Sequence, residues 1–283
     1  MKLASYLVNG QASYGVISER GLIDLSTKMG GQFPTLRSLL AAGELDQARE
    51  VARGSKPDYE LREVKFLPTV PDPDKIFCVG INYHAHRQET GRPETAYPTI
   101  FTRYANTQVA HEQALIRPRV SNDFDYEAEL AVIIGKRARH VSKERALDYV
   151  GGYSCYNDAS VRDWQRHTSQ FTPGKNFVGT GGLGPCMVTT DEIPDPTVLS
   201  VAMRLNGREM QRSTTDLMIF TIPTLIHYLT TFSELVPGDV IATGTPGGVG
   251  SRRNPPVWMK PGDVAEVEIS GIGILRNPIA AEE

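Results

Sequence analysis

The segment Asp125–Ile134, with the sequence DYEAELAVII, constrains the fold more than any other part of the chain. Its second half, residues 130–134, is a continuous apolar run of the kind found in buried strands. Side chains alternate between the two faces of a strand, so Asp125, Glu127 and Glu129 would share one face. The sequence therefore predicts three acidic side chains on one side of a strand that runs into the core.

Carboxylates at alternate positions of a strand lie about 6 to 7 Å apart and repel each other unless a cation lies between them. A hard divalent cation would meet that need. An isolated Glu-x-Glu pair is more often the solvated face of an amphipathic strand, and that alternative stays open at this point.

The segment 152–165 adds a third acid. Residues 152–156 predict a strand, and Asp158 follows its end, where it would supply another oxygen ligand; a helix N-cap is the alternative role for an Asp in this position. Arg162 and Gln165 are three residues apart and share one face of the following turn. Oxygen ligands without Cys or clustered His suit Mg²⁺ or Mn²⁺ better than Zn²⁺.

A further polar group follows the predicted strand Ile76–Val79. On a helix beginning near Asn82, His86 and Glu89 face each other, so the carboxylate can orient the imidazole and raise its basicity, as a water-activating pair requires. His84 and His86 could instead form a metal-binding pair, but that needs strand geometry, and the preceding Gly-Ile-Asn-Tyr favours a turn into a helix. An ordinary contact on a surface helix is the remaining alternative.

Short β-rich runs dominate the chain after residue 75, and many adjoin Gly-Asp turns. They do not alternate regularly with long helices, which disfavours a doubly wound nucleotide-binding fold. We therefore predict an α+β protein that is mostly β. The clearest elements are strands at Ile76–Val79, Tyr126–Ile134, Val188–Thr190, Val240–Thr243 and Val264–Ile269, and helices at Lys143–Val150 and Ile222–Leu235.

Two Gly-rich segments resemble nucleotide-binding loops but lack essential parts. Gly179–Gly184 fits G-x-G-x-x-G, yet Pro185 follows, and residues 186–190 predict a strand instead of a helix. Gly244–Gly250 lacks the Lys-Ser/Thr that completes a phosphate-binding loop. It predicts a loop whose backbone and Thr245 hydroxyl approach a ligand closely.

Residues 1–70 predict a small N-terminal domain. Apolar runs at Leu3–Val8, Tyr14–Ile17 and Leu22–Leu25 precede a helix at Thr35–Arg53, in which leucines recur at helical spacing. Three prolines within residues 68–73 then favour a stiff, extended connector. We expect a domain boundary near residue 70, with residues 71–283 forming the larger, catalytic domain.

Composition excludes several classes of function. The 30 Lys and Arg residues against 33 Asp and Glu residues give a formal charge of −3, and no basic run exceeds two residues, so no nucleic-acid partner is expected. The longest apolar run, about six residues, is far short of the roughly 20 of a membrane span, and the first residues lack the pattern of a signal peptide. Three widely spaced cysteines favour a reducing compartment, so we expect a cytoplasmic protein.

Six segments, in this order along the chain, resemble motifs of the fumarylacetoacetate hydrolase family. They are GINYxxHxxE at Gly80–Glu89, DYExEL at Asp125–Leu130, NDxSxRDxQ at Asn157–Gln165, Lys175, NGxxxQ at Asn206–Gln211, and GDVIATGTPxGVG at Gly238–Gly250. Each motif alone is weak, but six in order are hard to obtain by chance. The resemblance covers about residues 70–280.

The resemblance implies a mixed β-roll catalytic domain with a small N-terminal α/β domain, usually in a homodimer. It implies a divalent cation, Mg²⁺ or Mn²⁺ with Ca²⁺ possible in crystals, held by Glu127, Glu129 and Asp158. It also implies catalytic roles for His86, Glu89 and Lys175, and substrate contacts from Tyr83, Arg162, Gln165 and Thr245.

Members of the family act on 2-oxo or 1,3-dioxo acids, so the resemblance implies a small 2-oxo acid as substrate and hydrolytic C–C cleavage of an acylpyruvate type as the reaction. In that reaction Arg162 would suit the far carboxylate. Decarboxylation of a 2-oxo diacid and keto–enol isomerisation would use the same enolate without attacking water, and they stay open. A binding module without turnover is disfavoured, because binding alone needs no proton-transfer set such as His86, Glu89 and Lys175.

One segment departs from the family pattern. Many relatives carry Phe-Leu-Lys where this chain has Phe101, Thr102 and Arg103. These residues would shape the pocket, so the substrate of any single relative does not transfer. His111 could join the site, although a loop histidine without a catalytic role is the commoner case.

Overall fold

A computed structural model describes all residues of the chain, 1–283. Its helices are α1 (Leu25–Lys28), α2 (Leu36–Ala42), α3 (Leu45–Arg53), α4 (His84–Thr90), α5 (Arg162–Gln165), α6 (Thr172–Lys175) and α7 (Ile222–Phe232). Short 3₁₀ helices span Leu61–Glu63, Ala105–Thr107, Lys143–Tyr149, Pro196–Val198, Thr215–Leu217 and Gly250–Arg252. No helix is both long enough and apolar enough to cross a membrane.

The first strands are β1 (Lys2–Val8), β2 (Gln11–Ser18), β3 (Gly21–Asp24), β4 (Lys65–Phe66), β5 (Ile76–Gly80), β6 (Thr99–Arg103), β7 (Gln108–Val109), β8 (Leu115–Arg117) and β9 (Phe124–Asp125). The remaining strands are β10 (Ala128–Ile134), β11 (Val150–Asn157), β12 (Ser160–Val161), β13 (Gly181–Thr189), β14 (Ser200–Leu205), β15 (Arg208–Thr214), β16 (Val240–Ala242), β17 (Val264–Ile269) and β18 (Gly273–Ala281).

Eleven strands form one large mixed sheet. Its main path has the order β3-β2-β1-β13-β11-β10-β16-β5-β6, with β4 paired to β1 and β7 paired to β13. A five-stranded sheet in the order β15-β14-β17-β18-β8 packs against it, and β9 and β12 form a separate pair. The predicted α+β class, mostly β, is confirmed.

Both faces of strand β10 are buried, which shows that the strand lies at the centre of the molecule. Leu130 and Val132 belong to a hydrophobic core that also contains residues of β14 and β17. Ala131 and Ile133 belong to a second core, which they share with helix α2. Within β10 the predicted period of two is confirmed, and it places Glu129 on the same face as Ala131 and Ile133. Asp125 lies on the separate strand β9, so the prediction that it continues this face was wrong.

The helix predicted over Thr35–Arg53 is two helices in the structure. Helix α2 ends where Gly43 adopts the left-handed conformation, with φ of 76°, and its amide bonds to the carbonyls of Leu39 and Leu40. Glycine is favoured at this position because it has no Cβ to oppose a positive φ. Helix α3 then begins at Leu45, so the prediction of one continuous helix was wrong.

Three other elements differ from the prediction in their limits or type. The strand predicted from Tyr126 begins two residues later. The amides of Glu127 and Ala128 donate to the side chains of Asn157 and Gln211 instead of to a neighbouring strand. Residues 143–149 form a 3₁₀ helix instead of an α-helix. Helix α7 ends at Phe232, and the strand-like bridge that Leu235 then forms with Ala138 cannot continue a helix.

The N-terminal residues share a sheet and a core with the rest of the chain. Strand β1 lies between β2 and β13, with Leu3 opposite Met187. The second core likewise joins Leu3 and Leu36 to Met187 and Ile133. The division at residue 70 stays a prediction.

Candidate active site

A cavity of about 190 Å³ opens where the end of β5, helix α4, the start of β10 and the loop after β16 meet. Seven of the predicted site residues line it: His86, Glu127, Glu129, Arg162, Gln165, Lys175 and Thr245. Residues that are up to about half the chain apart in sequence therefore converge on one small space.

Three carboxylates meet at the floor of this cavity, with Glu127 and Glu129 lining it and Asp158 just behind them, because β10 and β11 are antiparallel neighbours. The register pairs Ala128 with Asn157, so Glu127 and Asp158 lie opposite each other, and the Asp158 amide donates to the Glu127 carbonyl at 2.9 Å. Oxygens of Glu127, Glu129 and Asp158 all lie within 4.8 Å of one another, and all three residues are buried. The arrangement that the sequence predicted for these acids is present.

Buried cationic side chains hold two of these acids. The Lys175 Nζ lies 2.7 Å from Glu127 Oε2 and 2.6 Å from Asp158 Oδ2. Arg162 contacts Glu127 at 2.6 Å. Although burial alone would raise it, Lys175 and Arg162 lower the pKa of Glu127 to about 2.

Glu129 has no such partner. Its carboxylate accepts one hydrogen bond, from the Gly244 amide at 2.8 Å. Burial, together with repulsion from Asp158 and Glu127, holds the pKa of Glu129 well above its ordinary value. A buried carboxylate in this position is stable in its charged form only beside a further cation.

The charge count of the site leads to the same conclusion. Four buried carboxylates face three buried cationic side chains: Asp125, Glu127, Glu129 and Asp158 against Arg103, Arg162 and Lys175. One negative charge is thus unbalanced, and the donors around it are oxygen atoms only. Such a set fits a hard divalent cation.

The Gly244 amide reaches Glu129 because the loop after β16 is pressed against the start of helix α4. Gly244 has a φ of +103°, and a Cβ there would lie 2.6 Å from the Asn82 Cβ. Asn82 fixes this contact by donating to the carbonyls of Thr243 at 2.7 Å and Phe220 at 3.0 Å. Glycine is therefore required at position 244 for two independent reasons.

The His86–Glu89 pair that the spacing predicted forms on helix α4. His86 Nδ1 lies 2.6 Å from Glu89 Oε1, and the second Glu89 oxygen accepts from the Gly248 amide at 2.9 Å. His86 is buried and lines the cavity, whereas His84 is exposed on the same helix. The helical geometry excludes the His84–His86 metal pair.

The other predicted substrate contacts differ in how many hydrogen bonds they already form within the protein. Arg162 donates to Asp125 at 2.8 Å and to the Gln165 oxygen at 2.9 Å, in addition to its contact with Glu127. Thr245 donates to the Ala128 carbonyl at 3.0 Å. Both line the cavity, but the guanidinium of Arg162 is already engaged by the protein.

Tyr83 and His111 lie outside the cavity. Tyr83 is 1% exposed, belongs to the larger hydrophobic core and has no hydrogen bond at its hydroxyl. The family resemblance implied a substrate contact for Tyr83, but the turn into α4 directs its side chain to the core. His111 accepts from the Arg276 amide at 3.1 Å and packs edge-on against Phe66.

Two residues that support the site had no specific role in the sequence prediction. Arg103 is fully buried and donates to Asp158 at 2.7 Å and to Thr180 at 2.7 Å, so it fixes the third acid from behind. Gln211 accepts from the Ala128 amide and donates to Thr245, which joins β15 to the acidic segment. The sequence contained only two indications of these roles. Arg103 stands where many relatives have a lysine, and Gln211 is the last residue of the NGxxxQ motif.

The Gly-rich segment Gly179–Gly184 leads into strand β13 instead of a helix, as predicted. It therefore lacks the helix N-terminus that a dinucleotide site needs.

Comparisons with known proteins agree with this geometry. Residues 75–280 match the family model for the fumarylacetoacetate (FAA) hydrolase C-terminal domain. A mitochondrial oxaloacetate tautomerase of Rattus norvegicus is 38% identical over 262 residues, which are 92% of this chain and 84% of that protein.

Two solved structures, each aligned over 100% of both chains, have the same fold. Fumarylacetoacetate hydrolase from Exiguobacterium antarcticum has a TM-score of 0.84 at 33% identity. Maleylpyruvate hydrolase from Sphingobium sp. SYK-6, solved with manganese(II) and pyruvate, has a TM-score of 0.83 at 27% identity. With its ordered motifs, its acidic cavity and these matches, the chain belongs to the fumarylacetoacetate hydrolase family.

Proposed function

We propose that this protein is a metal-dependent enzyme that interconverts the keto and enol forms of a 2-oxo acid. One observation carries the proposal: a histidine oriented by a carboxylate lines the same small cavity as Glu127 and Glu129, two members of a buried, charge-unbalanced cluster of three acids. Such a cavity combines proton transfer with stabilisation of an enolate. The names of relatives that match most of this chain, the oxaloacetate tautomerases, support the same reaction.

We propose Mg²⁺ or Mn²⁺ as the cation, bound by Glu127, Glu129 and Asp158. The oxygen-only donors favour these ions, and the manganese(II) in the similar maleylpyruvate hydrolase structure supports the choice. When bound, the ion would supply Lewis-acid stabilisation of the negative charge that develops on the 2-oxo oxygen.

The residues of the chain would carry the proton. His86 takes a proton from the carbon next to the 2-oxo group, and Glu89 keeps the imidazole oriented. Protonation of the enolate on oxygen then gives the enol, and protonation on carbon returns the keto form. Lys175 donates to Glu127 Oε2, to the Asp158 carbonyl and to Asp158 Oδ2, so its proposed role is to hold these acids and to supply positive charge at the site.

Hydrolytic C–C cleavage of an acylpyruvate, which the motifs placed first, is the second candidate. The His86–Glu89 pair favours it, since the same base could take a proton from water for attack on a distal carbonyl. The enolate of the leaving fragment would then be stabilised as in tautomerisation. A maleylpyruvate hydrolase among the similar structures supports this candidate.

One experiment compares these reactions on the same preparation. Tautomerisation of enol-oxaloacetate is followed by ultraviolet absorbance, and pyruvate release from acetylpyruvate and CO₂ release from oxaloacetate are assayed in parallel. Each assay is run after EDTA treatment and again after adding Mg²⁺ or Mn²⁺. Faster tautomerisation without pyruvate release supports the first proposal, and pyruvate release supports the second. CO₂ release would assign the decarboxylase activity instead, and no cation-dependent reaction at all would reject the proposals.

We keep the cytoplasm as the proposed location, on the basis of the three separated cysteines, all of which are free and buried. Fractionation of the native host, followed by detection of the protein, tests this point directly.

A further inference from the structure

Three arginines line the cavity without an ion pair or side-chain hydrogen bond inside the chain: Arg92, Arg166 and Arg252. All three are exposed, and each comes from a different segment. Their neighbours in sequence behave differently: Arg87 pairs with Glu94 at 3.4 Å, and Arg253 donates to the Tyr126 hydroxyl at 3.1 Å. These two arginines thus have side-chain partners within the chain, whereas the three at the cavity have none.

A buried carboxylate holds two of these segments together. Asp125 accepts from the amides of Gly250 at 2.8 Å and Ser251 at 3.0 Å, directly before Arg252. The same carboxylate accepts from Arg162 at 2.8 Å, and Arg162 begins the helix that Arg166 follows. Asp125 therefore fixes both arginine-bearing segments on one side of the cavity, although it is not among the three clustered acids.

The positive charges at this side are close enough to affect one another. Burial, and then repulsion from Arg162 and Arg252, lowers the pKa of Arg166. No carboxylate of the chain forms an ion pair with Arg92, Arg166 or Arg252. Attraction from Asp123 and Asp125 offsets only part of the repulsion at Arg166, so an anion in the cavity would relieve the rest. Arg162 cannot serve this purpose, because Asp125, Glu127 and Gln165 already engage it.

We propose that Arg92, Arg166 and Arg252 bind a second anionic group of the substrate, so that the enzyme selects dianionic 2-oxo acids over monoanionic ones. The inference rests on the proposed function, which assigns the 2-oxo acid end to the acidic floor. The planar guanidinium suits a carboxylate at the far end because it can donate two parallel hydrogen bonds. The cavity of about 190 Å³ has room for only a short chain between the two ends.

Two unreactive ligands of matched shape test the proposal. N-oxalylglycine carries a 2-oxo acid-like end and a distal carboxylate, and N-oxalylglycinamide replaces that carboxylate with an amide. Dissociation constants are measured by calorimetry on the Mg²⁺-loaded or Mn²⁺-loaded protein. The variants are Arg166→Gln, Arg252→Gln, the double variant and Arg92→Gln, with Arg208→Gln as control because Arg208 is exposed on β15 and does not line the cavity.

We expect wild-type protein to bind the dianion more tightly than the amide. The double variant should lose about 10- to 100-fold in affinity for the dianion, the scale of charge-assisted hydrogen bonds, and change less than about threefold for the amide. Arg208→Gln should leave both constants unchanged. Thermal melting checks that each variant is folded.

Equal losses for the two ligands, no loss for the dianion, or the same loss in Arg208→Gln would overturn the proposal. Its failure is distinguishable from failure of the proposed function. A wild-type enzyme that tautomerises 2-oxo acids without preferring the dianion contradicts the arginine assignment alone. A wild-type protein that binds neither ligand and catalyses no cation-dependent reaction contradicts both.

Discussion

Glu127 and Glu129 are two residues apart and share one cavity, yet they differ in their surroundings. Glu127 is held by Lys175 and Arg162, whereas Glu129 faces other carboxylates and one backbone amide. We therefore expect Glu129→Gln to leave the metal-free protein at least as stable as wild type, because it removes a repelled charge. Glu127→Gln should cost about 3 kcal/mol, because Lys175 and Arg162 each lose one of the two carboxylates that neutralise them in the interior.

Denaturant unfolding with EDTA measures both stabilities, and calorimetric titration with Mn²⁺ measures metal affinity. Both variants should bind Mn²⁺ at least about tenfold more weakly, the effect expected from the loss of one charged ligand. The control is Glu209→Gln, an exposed position on β15. An unchanged Mn²⁺ titration for Glu129→Gln would show that Glu129 is not a ligand.

His86 allows a matched comparison on a single helix. We expect His86→Ala to lower kcat by about 10² to 10⁴, the usual effect of losing a general base or acid, and to leave metal affinity unchanged. Glu89→Gln should have a smaller effect, because the imidazole stays in place. His84→Ala, at the exposed position two residues earlier, should retain wild-type activity. If His86→Ala and His84→Ala have the same kcat, the pair is structural.

Sequence reasoning found the residues whose neighbours follow from local periodicity. Glu127 and Glu129 share a face because strands have a period of two, and His86 meets Glu89 because helices bring residues three apart together. Arg103 could not be assigned in this way, because its contact with Asp158 depends on how the chain between β6 and β11 folds back. Tyr83 differs from this case, because the local turn into helix α4 directs its side chain into the core.

At the scale of elements, a glycine allows the loop after β16 to approach both Asn82 and Glu129 closely. We expect Gly244→Ala to cost about 3 kcal/mol or more, since it adds both a positive-φ strain and a Cβ contact of 2.6 Å with Asn82. Gly10→Ala, at a φ of +78° with nothing within 4 Å, should cost only about 1 kcal/mol. Equal losses in denaturant unfolding would mean that the contact with Asn82 is unimportant.

Most strands could be placed from their apolar runs, but their order could not. Local patterns predict Val240–Thr243 and Ile76–Val79 separately, and nothing in them indicates that β16 and β5 pair in parallel, with Val240 opposite Ile76. Such pairing depends on connections between distant segments. Element limits were also missed where side chains, such as Gln211, replace a strand partner.

At the scale of the whole molecule, the N-terminal 70 residues contribute a strand to the interior of the large sheet. A chain beginning at residue 71 would expose the edge of β13 and the part of the second core that includes Met187. We expect this shortened chain to lack a cooperative thermal transition and to aggregate. Circular dichroism during heating measures this, and a sharp transition close to that of the full chain would instead establish residues 71–283 as an independent domain.

We keep the homodimer as a prediction that rests on the family. Light scattering at micromolar concentration should give twice the chain mass of 31.1 kDa. A single-chain mass that does not change on dilution or on addition of Mn²⁺ would contradict it.

Glu89 uses both of its carboxylate oxygens, one for His86 and one for the Gly248 amide. The three acids lie in or directly beside the neighbouring strands β10 and β11 of the sheet, whereas His86 lies on a helix of seven residues with a turn at each end. Substitutions in that helix can therefore exchange one acid–base group for another without disturbing the cation site. The acid–base chemistry of this scaffold and its cation site are thus carried by separate parts of the chain and can change independently.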